Sequence, residues 1–274
     1  MNKQLAMSVV AVSITVGYSA HAADMPVRPG VAAPAAVAPA VVMDWTGFYV
    51  GIHGGGGWAH ESFERSVSEC APQYWSPCSV NTFVLPADAS PKGGVFGFQF
   101  GHNWQWGRVV GGLEVDFSGA DLTGSSTFSL IDGWNNTNLF RTDKKIDELA
   151  SIRGRIGYLI IPNLLLYGTA GAGWGHERVT FTASQISPKG VLLAEEDATS
   201  FNNMFGVVAG VGLEWKFWPG NPNWLLRGEW LHYDFGKVTN STNNPNLFNS
   251  SFQVDTGNVR TTVDVARAAL SFKF

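Results

Sequence analysis

The clearest pattern in the chain runs from Asn203 to Phe217. Phe205, Val207, Ala209, Val211, Leu213, Trp215 and Phe217 take every second position, and Met204, Gly206, Val208, Gly210, Gly212, Glu214 and Lys216 take the others. Side chains alternate faces along a strand, so this spacing predicts one long strand with an apolar face and a small or polar face. Gly93–Trp106 repeats the plan, with Phe96, Phe98, Phe100, Trp104 and Trp106 set against Gln99, Gly101, Asn103 and Gln105. Val109–Phe117, Glu148–Tyr158, Trp224–Phe235 and Val259–Phe274 alternate likewise. Two glycine-rich segments, Trp45–Trp58 and Leu164–Glu177, do so more weakly, which gives eight strands. They run to about 10–15 residues, well beyond the five or six of an ordinary globular strand.

Charge placement decides what the two faces meet. A soluble sandwich hides its apolar face and carries charge outside. Here Glu114, Asp116, Arg153, Arg155, Glu214, Lys216, Arg227, Glu229, Arg267 and Lys273 share the glycine-rich face. The reading therefore inverts: the apolar face meets lipid and the charges line a narrow interior. The strands suffice to cross a bilayer, and only a closed barrel satisfies strand hydrogen bonds there. The expected fold class is all-β, an eight-stranded antiparallel up-and-down transmembrane β-barrel. Its ten inward charges should pair, because unpaired buried charge is costly. Side chains can fill so narrow a bore, so a salt-bridged plug is expected. A narrow porin for small solutes or ions is the alternative.

The connectors alternate in length. Gly107–Arg108, Ile161–Asn163 and Pro219–Asn223 are short, while Ala59–Lys92, Ser118–Asp147, Arg178–Asn202 and Gly236–Asn258 are long. Short periplasmic turns and long outer loops fit that order. Two aromatic girdles follow: Trp45, Trp104, Trp106, Trp215 and Trp224 near the periplasmic rim, and Trp58, Trp174, Trp230 and Phe235 near the outer rim.

Composition agrees. Only 15% of the 274 residues are charged and 13% are aromatic, yet no internal apolar run is long enough for a helical span. A net charge of −4 without a basic tract argues against nucleic acid as a partner. Lys3, the apolar Leu5–Tyr18 and Ala20-His21-Ala22 read as an export signal over 1–22. Residues 23–43 are an Ala/Pro-rich periplasmic linker with Pro26, Pro29, Pro34 and Pro39, and 44–274 the barrel. In an exported chain Cys70 and Cys78 are expected to form a disulfide within the first outer loop. No nucleophile motif, metal-ligand spacing or phosphate loop stands out, so no catalytic residue, cofactor or metal is expected. A lipid-modifying enzyme would need a Ser or carboxylate within reach of His102 or His232.

Four motifs occur in order: Trp45-Thr46-Gly47-Phe48-Tyr49-Val50-Gly51, Arg153-Gly154-Arg155-Ile156-Gly157-Tyr158, Leu165-Leu166-Tyr167-Gly168-Thr169-Ala170-Gly171, and Gly228-Glu229-Trp230 running to Tyr233-Asp234-Phe235-Gly236. With them the chain resembles the small porin-family, opacity-type outer-membrane barrels of alphaproteobacteria, which share the outer membrane protein A architecture. Trp230 and His232 stand where that family commonly has Tyr, and Leu270 where Asn is common. The closing Leu270, Phe272 and Phe274 resemble the terminal strand read by the barrel-insertion machinery. The resemblance implies a non-enzymatic protein of the bacterial outer membrane with a structural and surface-exposure role. Its implied partners are outer-membrane lipid and lipopolysaccharide, the insertion machinery, and host or environmental ligands at the outer loops. Because the family includes haem binders, haem capture by His60 and His176 is a further alternative.

Overall fold

The computed structural model describes residues 43–62, 65–70, 80–85, 90–131, 135–218, 221–242 and 251–274. The expected export signal, most of the linker and the Cys70–Cys78 bridge lie outside the described residues. The strands are β1 (Gly47–Ser62), β2 (Arg65–Cys70), β3 (Val80–Leu85), β4 (Lys92–Trp106), β5 (Val109–Ile131), β6 (Thr137–Ile161), β7 (Leu164–Ile186), β8 (Leu192–Lys216), β9 (Trp224–Thr242) and β10 (Ser251–Lys273). Eight of them form an antiparallel ring in the order β1-β4-β5-β6-β7-β8-β9-β10, and β10 closes on β1 through pairs such as Val50 with Phe272. The short β2–β3 hairpin lies within the first long connection, and β2 pairs with the outer end of β10.

Register fixes the ring's geometry. From Phe48 the cross-strand partners run His102, Leu113, Gly154, Ala170, Ala209, His232 and Asp264, and the circuit returns to β1 at Trp58. One turn of the ring thus advances ten residues, from position 48 to position 58. With a rise of about 3.3 Å per residue and strands about 4.8 Å apart, eight strands at this shear tilt by about 40°. Each residue then climbs about 2.5 Å along the barrel axis, which puts Phe48 and Trp58 about 25 Å apart in height, the height of the apolar band of such barrels.

The faces follow the sequence alternation. Phe96, Phe98, Ile152, Ile156, Phe205 and Val207 are exposed, whereas Gln99, Glu114, Arg153, Met204 and Arg227 point inward and are buried. The interior stacks in three layers. Val95, Leu122, Leu149, Met204, Leu231, Tyr233, Phe235 and Val263 form an apolar cluster in the outer half. Charges fill the middle. Trp45, Val110, Leu159, Leu165, Tyr167 and Leu225 form a second apolar cluster at the periplasmic end.

The strands are longer than the alternation predicted. β6 and β8 reach 25 residues, and the segments read as loops at 118–147 and 178–202 are mostly strand. β5 runs to Ile131 and β6 starts at Thr137, and β7 and β8 are joined by 187–191. Beyond the lipid band neither face need be apolar, so the period-two signal fades while the ladder continues. Ser125, Thr127, Thr180 and Thr199 sit in that ladder, and Thr180 Oγ1 lies 3.3 Å from Thr199 Oγ1. Register shifts at Gly119–Leu122 and Ile146–Glu148 mark bulges near the outer rim.

Candidate functional site

Inward positions on five strands, β5, β6, β8, β9 and β10, bring four arginines and four carboxylates together. Arg227 Nη1 of β9 donates to Glu114 Oε2 of β5 at 2.5 Å. In the eight-strand ring these strands are four apart, on opposite walls. Arg153 Nη2 donates to Glu114 Oε1 at 2.5 Å and its Nη1 reaches Glu229 Oε1 at 3.1 Å. Arg267 reaches Asp116 Oδ1 at 2.9 Å and Glu229 Oε2 at 2.7 Å. Glu214 accepts from Arg155, and Arg227 approaches it at 3.4 Å. Every one of these eight side chains is at least 98% buried. Formal charge balances within the cluster.

Sequence alternation identified these eight charges but missed the neutral groups that finish their coordination. Tyr49 donates its hydroxyl to Glu114 Oε2 at 2.5 Å, and Tyr167 donates to Glu229 Oε1 at 2.9 Å. Arg155 stacks 4.0 Å from the Tyr167 ring centroid. Ser151 donates to Asp116. His53 Nε2 lies 2.8 Å from Ser118 Oγ, and Gln99 donates to Ser271 Oγ at 2.9 Å. The signal was present in the inward glycines opposite these groups. A Cβ on Gly101 would meet the Tyr49 hydroxyl at 2.3 Å, and one on Gly212 the Tyr167 hydroxyl at 2.4 Å. The rings lie flat on bare backbone, which is how a bore this narrow holds them.

Lys216 and Lys273, expected in the network, are not bonded to its carboxylates. Lys216 Nζ donates to the Asp44 carbonyl at 2.6 Å and Lys273 Nζ to the Thr46 carbonyl at 2.7 Å. They hold the 43–46 segment in the periplasmic mouth. Trp45, expected in the lipid-facing girdle, is instead fully buried there. Its indole N–H donates to the Pro162 carbonyl at 3.1 Å, its backbone N–H donates to Gln105 Oε1 at 2.8 Å, and Lys216 Nζ sits 4.8 Å from its ring centroid. The backbone N–H of Thr46 donates to Asp44 Oδ1 at 2.8 Å and holds that carboxyl below its ordinary range. Trp45 lies four residues before the inward Tyr49 and shares its parity, opposite to that of the lipid-facing Phe48.

Trp104, Trp106, Trp215 and Trp224 lie at the level of Phe48, and Trp58 and Trp174 at the outer level. Trp230 is outward but about 10 Å nearer the periplasm than Trp58, within the belt rather than the girdle. Phe235 points inward and is buried. Leu270, Phe272 and Phe274 share the outer face of β10, with Phe272 packed 5.2 Å from the Trp224 ring.

Two of the histidine expectations can be placed. His60 on β1 and His176 on β7 are four strands apart and do not meet. A carboxylate does stand within reach of His232, whose Nδ1 lies 2.9 Å from Asp264 Oδ1. His102 packs instead between the rings of Phe48 and Trp104, at 4.3 and 4.4 Å. Among the described residues no hydroxyl or thiol completes a nucleophile on either imidazole.

The fold defines an outer-membrane β-barrel with a charge-filled interior. The model of the outer membrane protein beta-barrel domain matches residues 28–259, and the chain belongs to that family. It is 32% identical over 235 residues to the 31 kDa outer-membrane immunogenic protein of Brucella melitensis, covering 84% of this chain and 88% of that one. It is 34% identical over 116 residues to a 22 kDa outer membrane protein of Rhizobium leguminosarum bv. viciae, covering 42% of this chain and 41% of that one. Among solved structures it is similar to the outer membrane protein OprG from Pseudomonas aeruginosa. That match has 12% identity and a TM-score of 0.41, and covers 84% of this chain and 97% of OprG. The protein is an outer-membrane protein of the alphaproteobacterial type that its motifs resemble.

Proposed function

We propose that this is a closed, non-catalytic barrel that strengthens the outer membrane and presents its outer strands and loops to the environment. The observation that carries the reading is the Arg227–Glu114 bond, which joins opposite walls across the bore. Apolar clusters above and below the charges support it, because a solute would have to displace packed side chains at three levels. The immunogenic name of the Brucella relative fits surface exposure.

Single-channel recording of purified protein in a planar bilayer tests this. Monomeric wild-type barrel should give no stable conductance steps. Reproducible steps in the nanosiemens range would sink the closed-bore reading in favour of a narrow porin.

A further inference from the structure

The outer wall carries ionisable side chains where only apolar ones are expected. Asp264 and His232 are cross-strand partners on the lipid-facing side of β10 and β9, with Nδ1 and Oδ1 2.9 Å apart. By the ring's register they lie about 3–6 Å below the level of Trp58, inside the outer leaflet. Such groups within the membrane are costly and mark sites. Above them on the same seam Asp234 is level with Trp58, and Arg260, whose Nε lies 3.3 Å from Asp234 Oδ1, reaches headgroup height. Below them His232 borders a shallow groove of about 640 Å³ that descends past Ala209, Ala170 and Gly154 toward Ile156. The seam is therefore graded from a guanidinium, through an imidazole–carboxylate pair, to an apolar trough.

We infer that this seam binds one outer-leaflet glycolipid whose acyl chains carry a hydroxyl or amide group just beneath a phosphorylated headgroup. The chemistry selects the ligand. With Nδ1 turned to Asp264, His232 keeps Nε2 as its remaining hydrogen-bonding atom beside the groove. The hydroxyl or amide of a hydroxyacyl or amide-linked chain both donates and accepts, so it can meet that nitrogen at this depth. A glycerophospholipid ester can only accept. Arg260, held by Asp234 through Nε and Nη2, keeps its remaining N–H donors for a phosphate at headgroup height, and the groove takes the chain. This deepens the expected association with lipopolysaccharide by assigning it a place, and it is independent of whether the bore conducts.

The test uses full-length barrel in nanodiscs of phosphatidylethanolamine and phosphatidylglycerol, with and without lipid A, read by native mass spectrometry. The variants are Ala209→Phe, which fills the groove, His232→Phe, which keeps a ring but removes the hydrogen-bonding nitrogens, and Val50→Phe, a lipid-facing site near the periplasmic rim that touches neither the groove nor the pair. Wild type and Val50→Phe should each retain one lipid A. Ala209→Phe and His232→Phe should retain about tenfold less, with glycerophospholipid retention unchanged. Should Ala209→Phe fail to insert, His232→Phe reads the same loss. Equal lipid A retention in all four proteins overturns the proposal. So does retention of glycerophospholipid alone, or a loss that accompanies conversion of a dimer to a monomer, which would make the seam a chain–chain contact.

Discussion

Glu114 on β5 and Arg227 on β9 face one another from opposite walls of the ring and meet at 2.5 Å. Glu114 also receives Arg153 at 2.5 Å and the Tyr49 hydroxyl at 2.5 Å, so one carboxylate ties three other strands together. Removing one partner leaves buried charge uncompensated. Arg227→Met should destabilise the barrel by about 3–5 kcal/mol. A double-mutant cycle with Glu114→Gln should return a coupling of about 1–3 kcal/mol. Urea titration of the barrel in lipid vesicles, followed by the heat-modifiable gel shift, measures both. A coupling near zero would mean that the pair does not act as a cross-brace.

The glycines make a matched contrast. Gly212 faces inward beneath the Tyr167 hydroxyl, 2.4 Å from an added Cβ, while nothing lies within 4 Å of one on the lipid-facing Gly228. Gly212→Ala pushes Tyr167 off Glu229 and should cost about 1–3 kcal/mol. Gly228→Ala should stay within about 0.5 kcal/mol of wild type. Similar urea midpoints for the two variants would contradict the inward packing.

The difference between what was and was not legible in the sequence follows from the same geometry. Alternation exposed the lipid band because lipid demands an apolar residue at every second position, and Phe96, Phe98 and Phe100 supply it. It also placed Glu114, Arg153 and Arg227 inside, since charge opposite such a face has nowhere else to go. It could not show that Tyr49 and Tyr167 share that interior, because aromatic residues suit either face. Nor did it settle Trp45, another aromatic that suits either face, or extend β6 and β8 past the membrane, where Ser and Thr on both faces leave no pattern.

Trp45 is a second structural test. It is fully buried, with its indole N–H bonded to the Pro162 carbonyl and Lys216 set against its ring. Trp45→Ala should destabilise by about 3–5 kcal/mol, the range for a large buried aromatic. A girdle tryptophan such as Trp106, 64% exposed, should cost less when changed to Ala. Urea midpoints of the two variants decide it. Equal losses would return Trp45 to the membrane surface.

The register makes its most specific claim about depth. Phe98 lies on β4 four residues outward of His102, the partner of Phe48, which places it about 13 Å above Phe48 and near the middle of the 25 Å band. Thr199 of β8 lies ten residues outward of Ala209, in the ladder beyond the band. An arginine at the bilayer midplane costs about 2–4 kcal/mol and almost nothing outside it. Phe98→Arg should therefore lower stability by that amount and reduce yield in the outer membrane, while Thr199→Arg should leave both unchanged. Folding each variant into vesicles and measuring urea midpoints gives the comparison. If Thr199→Arg proves as costly as Phe98→Arg, the band extends along the outer strands and the ten-residue shear no longer sets the membrane boundary.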